Sequence, residues 1–164
     1  MSPTTLYLKY RPQTIDELDL KTARDSLAKI LSSKTIPHAF LFFGPRGTGK
    51  TSAARILAMS VNNLKDIDST DIIEMDAASN RGIDEIRTLR EQVALSPMNV
   101  KYKVYIIDEV HMLTVEAANA LLKTLEEPPA HAIFVLCTTD PQKLPETVIS
   151  RCTQVQFARP GFAE

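Results

Sequence analysis

Five short apolar runs punctuate the chain, at residues 39–43, 71–75, 104–107, 132–138 and 155–157, and stretches with helical periodicity separate them. The run Val104-Tyr105-Ile106-Ile107 has no polar interruption, which is the pattern of a parallel strand covered by helices on both faces. Ala118, Leu121, Leu122 and Leu125 fall on one face of an amphipathic helix, which Pro128-Pro129 ends. Ile86, Leu89 and Val93 predict a second helix, and Ala23, Leu27, Ile30 and Leu31 a third. Strands alternating with helices make an α/β chain built on a parallel sheet.

Composition bounds the picture without redirecting it. At 164 residues and 44% apolar content, the chain has the size and make-up of one ordinary domain with one packed core. It shows no repeat, low-complexity tract or Gly/Pro/Ser-rich linker, so residues 1–164 are expected to form a single domain. The formal charge of -1 gives the whole domain no general pull on nucleic acid or membrane, so any DNA contact must be local. No segment approaches the roughly 18 apolar residues of a membrane span, and a cytoplasmic chain without membrane partners is expected. Cys137 and Cys152 form no C-x-x-C pair, and His38, His111 and His131 are scattered. No zinc site is expected, and these five side chains read as packing residues.

The chemistry starts after the first apolar run. Gly44-Pro45-Arg46-Gly47-Thr48-Gly49-Lys50-Thr51 fits the phosphate-loop pattern G-x-x-x-x-G-K-[ST] at every fixed position. Its glycines let successive backbone N–H groups turn toward phosphate oxygens, and the helix that follows adds its positive N-terminal dipole. Lys50 would reach the β- and γ-phosphates, and the Thr51 hydroxyl would complete the coordination of Mg²⁺. An apolar strand precedes the loop and the helix-compatible residues 52–58 follow it, which is the context a phosphate loop requires. Nucleotide binding is the strong expectation.

The uninterrupted run 104–107 ends in Asp108-Glu109. In a phosphate-loop sheet such a strand end lies beside the loop. Asp108 would hold magnesium through water and Glu109 would polarise the attacking water, a pairing that favours hydrolysis over transfer.

Longer stretches carry a family resemblance. Residues 108–113 (DEVHML), 119–129 (NALLKTLEEPP) and 138–145 (TTDPQKLP) resemble the gamma/tau clamp-loader subunits of bacterial DNA polymerase III. Lys9-Tyr10-Arg11-Pro12 and Ser150-Arg151-Cys152 are similar to boxes shared with replication factor C. The resemblance covers essentially the entire chain. It implies an AAA+ phosphate-loop NTPase, a three-layer sandwich around a five-stranded parallel sheet. It further implies an ATPase that works with delta, delta-prime and further gamma/tau subunits to open a sliding clamp and close it around primed DNA, with each ATP at a subunit junction. On that resemblance Tyr10, Arg11 and Pro12 belong to the nucleotide site. Thr139, with Thr138 beside it, matches a polar sensor between the phosphate loop and the acidic strand. Arg151 matches an arginine finger acting on a neighbour's γ-phosphate, although taken alone it reads more readily as one half of a surface salt bridge. Residues 76–84 follow the second strand and open a helix whose amides and Arg81 would receive a DNA phosphate, the alternative being a simply capped helix start.

The chain also departs from the family. The cysteine-rich zinc module that gamma/tau subunits carry is replaced by the cysteine-free residues 62–70. A Val-Gly-Gln-like turn near the adenine gives way to Asp19-Leu20-Lys21. The family's helical lid and collar would follow Glu164, so the reading expects an excised domain with poor hydrolysis by itself. Two rivals share the fold: a non-catalytic subunit of the delta-prime type, and another AAA+ motor such as a branch-migration helicase or an initiator.

Overall fold

The computed structural model describes residues 21–63, 71–98 and 100–158. In chain order they form α1 (Lys21–Leu31), β1 (Ala39–Phe43), α2 (Lys50–Val61), β2 (Ile72–Asp76), α3 (Ile83–Val93), β3 (Lys103–Asp108), α4 (Val115–Glu126), β4 (Ala132–Thr138), the short α5 (Glu146–Ile149) and β5 (Thr153–Gln156). A 3₁₀ turn at Val110–Met112 follows β3 and another at Pro141–Lys143 follows β4. The strands make one five-stranded sheet in the order β2-β3-β4-β1-β5, and every pairing is parallel. This is the parallel α/β sandwich that the sequence predicts.

Successive strand residues point to opposite sides of the sheet, and both sides are covered. Phe40 and Phe42 of β1 face a core shared with Ala23 and Leu27 of α1 and with Ala53, Ile56 and Leu57 of α2. Ala39 and Leu41 face the opposite core, shared with Ile86, Leu89 and Val93 of α3 and with Ala117, Leu121 and Leu125 of α4. Each fully buried side chain of this size contributes about 1.5–3 kcal/mol. β4, at the centre of the order, is buried along its whole length, as its unbroken apolar run demands.

The sequence places the runs at 39–43 and 132–138 where β1 and β4 lie. β2 runs one residue further, to Asp76. β5 begins at Thr153, earlier than the apolar run 155–157, because on this edge strand Val155 alone is buried among Thr153, Gln154 and Gln156. Phe157 lies beyond the strand, yet its N–H still donates to the Phe43 carbonyl at 2.7 Å. α4 stops at Glu126, and Glu127 leaves the helical region at φ -132 and ψ 66. That is the expected effect of Pro128 on the residue before it.

Candidate functional site

Parallel register brings the C-terminal ends of the strands together. Phe43 pairs with Thr138, Ile107 with Leu136 and Asp76 with Asp108. The phosphate loop leaves β1 at this edge, and Asp108 ends β3 two strands away, with β4 between them. A cleft of about 240 Å³ opens here, lined by Arg46, Gly47, Gly49, Lys50, Thr51, Ser52, Asp108 and Glu109. The predicted loop and the predicted acidic pair therefore share one cavity.

Two glycines of the loop have identifiable reasons. A Cβ on Gly44 would run into the backbone carbonyl of Phe157, so the first glycine is required by the chain leaving β5. Gly49 caps α2 in the left-handed region, at φ 87 and ψ 20, where a side chain is strained. Between them the Thr48 hydroxyl donates to the Pro45 carbonyl at 2.7 Å. The Gly44 N–H donates to the Thr138 carbonyl at 3.2 Å, which ties the loop to the end of β4.

Lys50 opens α2 and is 7% exposed. Its ammonium donates to the Gly44 carbonyl at 2.8 Å and to the Pro45 carbonyl at 2.7 Å. Burial pushes its pKa below the ordinary lysine value, while the Glu109 and Asp108 carboxylates pull it partly back. The next residue, Thr51, donates its hydroxyl to Asp108 Oδ2 at 3.0 Å. The other carboxylate oxygen, Oδ1, accepts the Glu109 N–H at 3.1 Å. Glu109 itself sits at φ 52 and ψ 44, a left-handed conformation that is strained for a side chain of this size.

The remaining predicted residues fall around or away from this cleft. Thr138 is buried, and its hydroxyl oxygen accepts the Asp140 N–H at 3.0 Å. Thr139 is half-buried one position further, outside the cleft lining. Arg81 is exposed. It donates from Nε to the Met112 carbonyl at 3.0 Å, and its own carbonyl accepts the Thr114 N–H. α3 starts at Gly82 without a side-chain cap, and its first turn carries Asp84 and Glu85. Those carboxylates already suit the helix dipole and compete with an incoming phosphate. Tyr10, Arg11 and Pro12 lie outside the described residues, as do most of residues 62–70 and the segment before Lys21.

Arg151 is set apart. Thr153 pairs with Phe40 near the start of β1, whereas the phosphate loop leaves the far end of that strand. Four residue steps lead from Phe40 to Gly44, about 13 Å of rise. The exposed Arg151 guanidinium meets Glu126 at 3.4 Å and lies away from its own chain's Lys50.

His111 has polar contacts that the sequence does not reveal. Grouped there with scattered packing histidines, it stands in the 3₁₀ turn after Glu109, with Nε2 3.4 Å from Glu109 Oε2 and 3.9 Å from Asp140 Oδ2. Its Nδ1 is 2.8 Å from the Thr138 hydroxyl oxygen. Position two after the glutamate is the signal available in the sequence, since a 3₁₀ turn folds that residue back beside the strand end. The two cysteines do pack: Cys137 is buried in β4 and Cys152 is half-buried. Burial pushes both thiols up, that of Cys152 to about 12. Among the described residues no helix is long and apolar enough to cross a membrane.

Known proteins share this arrangement. A family profile described as DNA polymerase III, delta subunit, matches residues 68–161. DNA polymerase III subunit tau of Bacillus subtilis (strain 168) is 49% identical over 97% of this chain, which spans 31% of that relative's length. Among solved structures, a DNA polymerase III gamma subunit-related protein of Thermotoga maritima superposes with TM-score 0.72 and 29% identity, over 85% of this chain and 47% of that one. The Thermotoga maritima RuvB Holliday junction branch migration motor superposes with TM-score 0.68 at 22% identity, over 91% of this chain and 48% of that one, which shows a common AAA+ fold. A profile covering more than half of the chain, relatives this similar along its length, and a phosphate loop facing Asp108-Glu109 agree, and the chain belongs to the DNA polymerase III gamma/tau family of AAA+ proteins.

Proposed function

We propose that residues 1–164 are the ATP-binding and ATP-hydrolysing domain of a sliding-clamp loader, which places the clamp on primed DNA during replication in the cytoplasm. The observation that carries this is the 3.0 Å contact between Thr51 Oγ1 and Asp108 Oδ2, in one cleft with Lys50 and Glu109. A hydroxyl and a carboxylate side by side are the hard oxygen donors that suit Mg²⁺, which usually takes only one or two protein ligands and fills the rest with water and phosphate oxygen. Bound there, Mg²⁺ would neutralise charge on the β- and γ-phosphates. Thr51 and Asp108 would hold it, the loop amides of residues 44–49 and Lys50 would cradle the phosphates, and Glu109 would orient the attacking water and take its proton. Tyr10, Arg11 and Pro12 would complete the nucleotide site.

Arg151 acts in trans on this reading, reaching the γ-phosphate of a neighbouring subunit; its position at the entering end of β5 supports that. The isolated domain then hydrolyses ATP slowly. Thr139 serves as the polar sensor beside Thr138. The partners are delta, delta-prime and further gamma/tau subunits, the clamp, and primed DNA held through its phosphates, with Arg81 at the DNA side.

The matched delta-subunit profile favours one second reading, a non-catalytic subunit of the delta-prime type. The complete set Lys50, Thr51, Asp108 and Glu109 supports the catalytic one. Equilibrium ATP binding decides: Lys50→Ala should weaken affinity by about 10²-fold or more, the scale of losing a buried charge-assisted contact, while the melting temperature stays close to wild type. Equal affinities would overturn the assignment of the loop.

A further inference from the structure

Beyond the phosphate loop, a half-buried polar group follows β3. His111 is 6% exposed at its side chain, and its two ring nitrogens face different partners. On one side Nε2 looks at two carboxylates, Glu109 at 3.4 Å and Asp140 at 3.9 Å. A nitrogen lone pair aimed at two anions is repelled, so Nε2 carries the proton. On the other side Nδ1 lies 2.8 Å from Thr138 Oγ1. That oxygen already accepts the Asp140 N–H, which leaves the hydroxyl hydrogen of Thr138 to point at the ring. The imidazole is thus held in one orientation from behind, with Nε2 on the side of the Glu109 and Asp140 carboxylates.

Thr138 does more than hold the ring. Its carbonyl accepts the Gly44 N–H at the mouth of the phosphate loop, and its residue pairs with Phe43 at the end of β1. Loop, imidazole and glutamate therefore hang on the end of one fully buried strand. Glu109 needs such a tether, because its left-handed backbone leaves the carboxylate at a kink between β3 and the 3₁₀ turn instead of on a regular element.

We propose that His111 is a positioning residue for hydrolysis: through Nε2–H it fixes one oxygen of the Glu109 carboxylate, leaving the other to orient water, and through Thr138 it couples that carboxylate to the phosphate loop. The inference rests on the reading of Glu109 as the base. It extends that reading to a residue outside the lining of the phosphate-loop cleft.

The test uses the assembled loader, with ATP affinity and the single-turnover hydrolysis rate measured separately. His111→Ala should slow hydrolysis by about 10-fold to 100-fold, the usual cost of losing an outer partner of a functional group, while ATP affinity changes by less than about threefold. His111→Gln, whose amide nitrogen reaches the position of Nε2, should recover most of the loss. His111→Asn, whose amide reaches only the position of Nδ1, should not. In a Glu109→Gln background, His111→Ala should add almost nothing. A rate within about twofold of wild type for His111→Ala, Gln and Asn variants that are equally impaired, or an undiminished effect in the Glu109→Gln background would each overturn the proposal. Should His111→Ala fail to fold, the Gln and Asn pair carries the test. A Glu109→Gln enzyme that hydrolyses normally defeats the reading of the base itself. A slow Glu109→Gln enzyme beside normal His111 variants defeats this inference alone.

Discussion

At the C-terminal edge of the sheet, Lys50, Thr51, Asp108, Glu109 and His111 contact loop carbonyls, one another or Thr138 at 2.7 to 3.4 Å. At the entering end of β5, Arg151 stands exposed and meets Glu126 at 3.4 Å on the surface. The first region is a cluster whose contacts all lie within one chain. The second presents a cation whose own chain offers it no phosphate. An exposed ion pair of that kind contributes at most about 1 kcal/mol, so Arg151 is free to exchange Glu126 for a stronger partner on another subunit.

The most forceful way to break this comparison is to place an Arg151→Ala subunit beside a wild-type one in a mixed loader. Hydrolysis at the wild-type neighbour's site should fall by up to about 10³-fold, the contribution that an arginine finger can make, while the mutant's own site still fires if its other neighbour is intact. Loss confined to the mutant's own site would place Arg151 in cis. Next in size is Glu109→Gln, which should keep ATP binding and slow single-turnover hydrolysis by at least about 10²-fold; an unchanged rate removes the glutamate from that role. Gly44→Ala acts on the first region through packing. The new Cβ meets the Phe157 carbonyl and should lower stability by about 1–3 kcal/mol, read as a fall in melting temperature, and an unshifted transition would show that β5 yields easily. The smallest effect sharpens the contrast: Arg151→Ala in the isolated domain should leave ATP affinity alone and change stability by no more than about 0.5 kcal/mol.

What the sequence showed follows the same division. Elements buried on both faces were legible because burial forces an unbroken apolar run: β1 and β4 match residue for residue. β5 was legible only in part, since an edge strand needs few apolar positions and its Thr153, Gln154 and Gln156 look like loop. The phosphate loop and Asp108-Glu109 were readable because short-range geometry dictates their residue types. The tether behind Glu109 was not, because Thr138 lies 27 residues from His111 in the chain, and only the parallel packing of β4 between β1 and β3 brings them together. The expectation of a DNA phosphate at α3 met Asp84 and Glu85 in its first turn, an electrostatic competition that a motif read by itself does not reveal.

The left-handed turn at Glu109 sets conformational comfort against the chemistry proposed for that residue. Glycine or asparagine would occupy that backbone with less strain, so a sequence chosen for folding alone would not put glutamate there. A redesign that scored each position by conformational comfort would replace this residue early and obtain a sturdier domain without the group proposed to activate water. The strained position is where the requirements of the fold and of the proposed catalysis diverge.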